Sequence, residues 1–363
     1  MAGRTLLTRL DELCNVDVDD ADFEFIKSLP FKPYNQTSNQ AIITQAITSE
    51  TNRPLLSDCI KKYGSQGWET VFERLEQSVR ICANNVPLIK GRVLIQTSPR
   101  HIHDDVAIVK QCRRFADAFE EAGIPRDRFA IKIPFTGSGA VASRVLNAEG
   151  IRTLATAVFC LEQAIAASQS VCLLISPYFN EIAAHFDPAL RPKVADTALE
   201  HPMSPRIIHM LEAFKTLYAE TGQEQPIMVI ASNLSLEEVL AMAELGCQHI
   251  TVSKDNYRQL IASPDQSPAI THAKPTHPYA TLSTPERLKS LAQKDPLSAT
   301  ENKGLSASLD TDYVAQNGKI LDAAIERDSV AGKRMNDAMK FFTESEEKAK
   351  QIIEAEMSIL GYE

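Results

Sequence analysis

The chain has no CxxC pair, no GxGxxG loop after its first strand, no GxSxG elbow and no apolar run of membrane-spanning length. Each absence removes a class. Its seven cysteines (Cys14, Cys59, Cys82, Cys112, Cys160, Cys172 and Cys247) are scattered and odd in number, which suggests neither a disulfide framework nor a thiolate zinc site. The GSG within Thr136–Ala140 is too short for a phosphate loop, and no Ser-His-Asp arrangement can be assigned. The N-terminus, MAGRTLLTRLDELC, is charged and amphipathic and lacks the continuous apolar core of a signal peptide, so a cytoplasmic protein without a membrane partner is expected. Basic residues are outnumbered, 38 Lys and Arg against 47 Asp and Glu, and no basic cluster is interleaved with aromatics. A nucleic-acid partner is therefore not expected.

What is present is alternation. Short β-rich runs occur at Cys14–Val18, Asn35–Ser38, Val93–Thr97, Ala130–Pro134, Thr153–Phe159, Val171–Ser176, Ile227–Ser232 and His249–Val252. Helical patterns lie between them, as at Asp104–Ala122 (with Val106, Val109, Phe115 and Phe119 near helical spacing), Gly137–Ala148 and Leu236–Leu245. The connections AGIP, AEGI and ELGC place glycine where a helix ends and the next strand begins. Eight strands that are apolar on both faces, with helices between, predict a closed parallel α/β barrel, the (β/α)8 or TIM architecture, with an open doubly wound sheet as the alternative. The expected organisation is a barrel over residues 1–260, a Pro/Ser/Thr-rich connecting segment over 261–319, and a helical extension over 320–363 packed on the barrel. Phe341, Phe342, Ile352 and Ile353 are its apolar anchors, facing either the barrel mouth or a partner.

One residue interrupts the apolar pattern. Lys132 lies within FAIKIPF. An ammonium is costly to bury unless it is paired or neutralised, and a lysine that loses its proton is the side chain that forms an imine with a carbonyl. The bland reading is an amine snorkelling to solvent. Polar residues recur near the same ends of other strands: Asp19, Thr37, Asn39, Gln96, Thr156, Ser176 and Ser232. In a barrel such ends carry the catalytic groups. Neutral Lys132 would attack a ketone, and the protonated imine would draw electrons as the adjacent C–C bond breaks. Asp19 would move the hydroxyl proton, Thr37 and Asn39 would hold substrate hydroxyls, and Thr156 would hold a relay water. Asp19 has a rival role as a turn cap in the acidic run DVDDADFE. His101 and His103 with Asp104 lack a third metal ligand at an identifiable spacing and read as a helix-start loop. His201, His272 and His277 read as solvated loop residues, and Cys160 as a small buried hydrophobe. No metal and no organic cofactor is expected.

The stretches DDADFEFIK leading into NQTSNQ, GRVLIQTSPR, GIPRDRFAIKIPFTGSGAVASRVLNAEGIRTLATAVF, CLLISPYFNEI and IMVIASNLSLEEVLAMAELGCQHITVS resemble the transaldolase family, over roughly residues 14–260 and more faintly beyond. The resemblance implies an α/β barrel with a two-step ketol transfer, Lys132 as the imine lysine, Asp19 as the acid/base and Asn39 as a substrate ligand. Thr37, Thr156 and Ser232 also fall on family site positions. Gln96 stands where classical members have glutamate; the related fructose-6-phosphate aldolases also use a glutamine there. That subgroup is expected to have tyrosine where this chain has Phe159, and Cys160 replaces a family serine. Glu181 and Leu234 replace the two phosphate-binding arginines, which would remove charge-assisted bonds and add repulsion toward a dianion.

The leading expectation is an enzyme that makes or breaks a C–C bond beside a ketone on a substrate without the usual phosphate recognition, in specialised rather than central carbohydrate metabolism. Its small-molecule partners would be a ketone donor and an aldehyde acceptor, and self-association is left open. The alternatives are a conventional pentose-phosphate transaldolase, which transfers dihydroxyacetone from fructose 6-phosphate to erythrose 4-phosphate, and a non-catalytic barrel that binds protein.

Overall fold

Every strand follows its predecessor around a closed parallel barrel, in the order in which the strands occur in the sequence. The computed structural model describes residues 4–77, 81–267, 274, 276–281, 283–298 and 307–362. The strands are β1 Asn15–Asp19, β2 Gln36–Thr37, β3 Val93–Gln96, β4 Phe129–Pro134, β5 Thr153–Val158, β6 Leu174–Pro177, β7 Ile227–Ile230 and β8 His249–Ser253. β1 pairs with β8, which closes the ring. All eight fall within the predicted runs or within a few residues of them; β6 begins later than expected, at Leu174.

Helix ends follow local chemistry. Asp104 caps the helix Asp105–Glu121 by accepting from the Ala107 N–H at 2.9 Å. His101 ends a short 3-10 turn just before it, so the two histidines of PRHIHDD do belong to a helix-start loop. Gly246, at φ 97°, closes the helix Leu236–Leu245 in a left-handed conformation that glycine adopts without strain. One expected core position differs: Val106 is 57% exposed, and the buried stripe runs instead through Ile108, Val109, Cys112, Phe115 and Phe119. The start of the helix at Asp105 places Val106 in its first turn, rotated toward solvent.

Side chains alternate along a strand, so every second residue lines the barrel interior. Leu94, Ala130, Leu154, Leu174 and Val229 form an apolar cluster of their own, apart from the larger core beneath the helices. Two residues further along their strands stand Gln96, Lys132, Thr156 and Ser176. The apolar layer is thus a floor, and the polar layer above it faces the C-terminal mouth.

The long helix Ser329–Ile359 runs over this mouth. Thr44, behind β2, donates to the Ser345 carbonyl at 2.9 Å, and Ser98, behind β3, donates to Glu346 at 2.9 Å. The same helix packs against the end of β5 and the short turn Ile182–His185 behind β6. Its companion helix Lys319–Arg327 is docked by Asp322, which accepts from the Gly137 N–H at 2.7 Å. Phe342 and Ile353 are buried, with Phe341 and Ile352 packed beside them. Within the expected connecting segment a 3-10 stretch, Glu286–Gln293, buries Leu288 and Leu291. Residues 268–273, 275, 282 and 299–306 of that segment, His272 included, lie outside the described residues. Among those described, no helix is long and apolar enough to cross a membrane.

Candidate active site

Lys132 is 4% exposed, so its amine does not snorkel to solvent. Nζ donates to the Ser38 carbonyl at 3.1 Å, a bond that turns it inward. Burial pushes the Lys132 pKa down, with the charge of Asp19 acting in opposition. Burial pushes the Asp19 pKa up, opposed by Lys132 and by the hydroxyl of Thr37, which donates to its carboxylate. Part of Asp19 remains accessible, but the protein packed around its carboxyl decides the direction. Each group is displaced toward its neutral form and each is held back by the other, so the two titrate closer together than a free lysine and a free aspartate would.

The acidic run resolves into four separate tasks. Asp17, one pleat below Asp19, accepts from the Asn35 N–H and side-chain amide, both at 2.9 Å, and lies 3.0 Å from His249 Nδ1. Asp20 accepts from the Asp22 N–H at 2.7 Å, and Asp22 caps the next helix at the Phe25 N–H while pairing with Lys254 at 2.6 Å. Only Asp19 is left facing Thr37 and the field of Lys132. The turn-capping role belongs to its neighbours.

Gln96 is 1% exposed and in register with Lys132 on the adjacent strand. Its amide donates to Gln40 Oε1 at 2.7 Å, and Gln40 is itself fixed by donating to the Thr97 carbonyl at 2.9 Å. That chain determines which way the Gln96 amide points, leaving Oε1 buried and without a partner. A buried acceptor in the lysine's layer suits a water or a substrate hydroxyl. Thr156 Oγ1 donates to the Tyr178 hydroxyl at 3.4 Å, and the Tyr178 ring stands edge-on to Phe159 at 5.6 Å. The Tyr178 pKa is raised by burial, so the phenol keeps its proton. Tyr178, just past the end of β6, thus sets a phenol hydroxyl beside Thr156.

Lys132, Asp19, Thr37, Gln96 and Thr156 thus stand at the same end of the barrel, with Gln96 in register with Lys132 and Ser176 with Thr156. Asn39 sits at its rim, where its side-chain oxygen caps the helix Gln40–Ile47 through the N–H groups of Ala41 and Ile42 at 3.0 and 3.2 Å. Its amide nitrogen is the end left for a ligand. Cys160 is turned aside: its thiol lies 3.4 Å from Gln163 Oε1, and burial raises its pKa, so it stays protonated. Phe159 contributes its ring and a carbonyl that accepts from Arg206 at 2.8 Å.

Ser232, at φ 66°, lies 2.9 Å from His185 Nε2, and burial lowers the pKa of that histidine. The Leu234 side chain carries no charge, and its N–H is taken by Glu238 at 2.6 Å. Glu181 pairs with Lys333 at 3.4 Å and approaches Arg334 at 3.9 Å, both from the helix over the mouth. His201 is a correction: it is 2% exposed, stacked on Phe179 at 3.7 Å, with its pKa pushed down to about 3 by burial. Packing on that aromatic, which follows β6, overrides its loop position. His277 is half-buried beside Glu224 at 3.3 Å. Among the described residues no group of three His, Cys, Asp or Glu could hold a metal ion. A separate cavity of about 850 Å³ is lined by Ile208, Glu212, Lys215, residues 283–286, Lys289 and Ala292, and includes none of the mouth residues.

Sequence reasoning missed Tyr178, Gln40 and Arg334. Tyr178 was signalled by its place two residues after Ser176; Gln40 and Arg334 have no local signal, since their roles depend on contacts far along the chain.

A family model described as transaldolase/fructose-6-phosphate aldolase matches residues 16–353. Among solved structures, an IMP dehydrogenase/GMP reductase-like protein from Corynebacterium glutamicum is similar at 11% identity and a TM-score of 0.39, covering 67% of this chain and 64% of that one. The chain therefore spans about two thirds of that protein's length.

Proposed function

The chain belongs to the transaldolase/fructose-6-phosphate aldolase family, and from that premise we propose that it makes or breaks a C–C bond beside a ketone through an imine on Lys132. The observation that carries this is a buried amine whose pKa is pushed down, at the same end of the barrel as a carboxyl whose pKa is pushed up. In the neutral state Lys132 Nζ adds to the ketone carbon, and the adduct takes a proton from Asp19 and loses water, giving a protonated imine and an Asp19 carboxylate. Asp19 takes the proton of the hydroxyl on the far carbon of the bond to be cleaved, the carbon that becomes the aldehyde. That C–C bond breaks, an aldehyde departs, and the electron pair is held as an enamine on Lys132. Protonation of the enamine and hydrolysis complete an aldolase reaction; addition to a second aldehyde completes a transfer.

Two groups favour an aldolase outcome. Gln96 offers an oriented acceptor for water, and Tyr178, which remains protonated, stands beside Thr156 as a donor. Asn39 and Thr37 would hold donor hydroxyls. At the far end, Glu181 and Leu234 leave no conventional phosphate site, and Glu238 occupies the Leu234 N–H with the chain's own carboxylate. A substrate outside the pentose-phosphate pathway is the reading this supports, with a ketone and an aldehyde as the small-molecule partners.

Borohydride trapping with dihydroxyacetone and with fructose 6-phosphate tests the proposal. An adduct on Lys132 that is lost in Lys132→Ala is expected. Strong preference for fructose 6-phosphate would overturn the unusual substrate, and absence of any adduct would overturn the imine.

A further inference from the structure

Behind β6 and β7, most described cations have a partner. Arg206 pairs with Asp295 at 3.0 Å and Asp328 at 2.7 Å. Arg191 donates to the carbonyls of Ala184 and His185. Lys333 pairs with Asp337 at 2.7 Å. Arg334 differs. Its side chain is 12% exposed, its nearest carboxylate is Glu181 at 3.9 Å, and its Nη1 is buried with no hydrogen-bond partner. A guanidinium never loses its charge in a protein, so a buried donor on it is costly until something accepts from it. Burial lowers its pKa, and Arg206 adds repulsion, which marks a cation short of an anion.

The position of this group matters. Arg334 belongs to the helix that crosses the mouth, and it meets Glu181 three residues beyond Tyr178, whose hydroxyl reaches Thr156 at the lysine's end of the barrel. We infer that Arg334 receives a singly charged carboxylate at the far end of the aldehyde substrate. This rests on the imine reading above and specifies its substrate class. A carboxylate needs one charge and one or two donors, which a single guanidinium supplies. A phosphate dianion presents three oxygens and a second charge. It would find one free donor, a histidine held neutral at position 185, and the Glu181 carboxylate already close to the same guanidinium.

The test uses the full chain with dihydroxyacetone as donor and three acceptors: neutral glyceraldehyde, succinate semialdehyde and glyceraldehyde 3-phosphate. Wild type is expected to show its highest kcat/KM with succinate semialdehyde. Arg334→Gln should reduce the ratio of kcat/KM for succinate semialdehyde over glyceraldehyde at least about tenfold, chiefly through KM, and Arg334→Lys should recover part of it. Glu181→Gln should act oppositely and raise the use of glyceraldehyde 3-phosphate. A wild-type preference for the phosphate, or an equal effect of Arg334→Gln on charged and neutral acceptors, would overturn the inference. Trapping of dihydroxyacetone on Lys132 reports separately on the imine. Calorimetric binding of succinate to wild type and Arg334→Gln reads the carboxylate site without turnover: binding lost in the variant supports it, and equal binding or none to wild type removes it.

Discussion

Replacing Lys132 and Asp19 together, as Lys132→Met/Asp19→Asn, should abolish imine trapping and make the protein more stable. Both groups are held against the cost of desolvating their charged forms. Substituting desolvated groups of opposite charge with neutral ones of similar volume stabilises by about 1–4 kcal/mol. Against that stands the lost bond from Lys132 to the Ser38 carbonyl, about 1 kcal/mol. The amide oxygen introduced at position 19 still accepts from Thr37, so that bond is kept. The net expectation is a gain of up to roughly 3 kcal/mol; at about 2.1 cal/mol/K per residue, this raises Tm by up to roughly 4 °C for a chain of this length. The pH dependence gives the sign. Lys132 has a folded pKa below 10.5, so the folded state binds fewer protons than the unfolded, and its destabilising effect is lost as pH rises toward 10.5. Asp19 has a folded pKa above 3.8, so its destabilising effect is lost as pH falls toward 3.8. The advantage of the double variant should peak between these limits and narrow toward both. Differential scanning calorimetry across pH measures it. A variant less stable than wild type at pH 7, or an advantage independent of pH, would refute the reasoning.

Tyr178→Phe removes the phenol beside Thr156; turnover should fall by about 10²-fold while the Lys132 adduct still forms, as stopped-flow rates and trapping would show. Gln96→Glu sets a carboxylate against Gln40 Oε1, which cannot rotate away because its amide is held by the Thr97 carbonyl. A loss of about 1–3 kcal/mol is expected, growing as pH rises and the new carboxyl ionises, and denaturant midpoints at two pH values check it. Gly318→Ala would drive a Cβ into the Gly137 backbone at a φ of +82°. Undocking of the Lys319–Arg327 helix at a cost of about 2–5 kcal/mol should follow, read as faster amide exchange there.

Strand order, barrel closure and the buried lysine were legible because they rest on local facts. Alternation of apolar strands with helices requires a covered parallel sheet, and one lysine in a doubly buried strand is conspicuous at any distance. The acidic run was only half legible. Four aspartates lie within the six residues of DVDDAD, and period-two alternation puts Asp17 and Asp19 on the same inner face. What separates them is Asn35 and His249, the latter 232 residues from Asp17, which consume Asp17 and leave Asp19 free.

The sequence by itself determined the eight strands, the lysine among them, and the absence of cations at positions 181 and 234. Those properties are carried by residue type and spacing along one stretch of chain. Tertiary structure alone decided that Tyr178 supplies a hydroxyl to Thr156, that Gln40 orients Gln96, and that a helix far along the chain from Glu181 brings Arg334 beside it. These are contacts between segments whose partners are chosen by packing across the mouth, and burial and charge pairing are set only there.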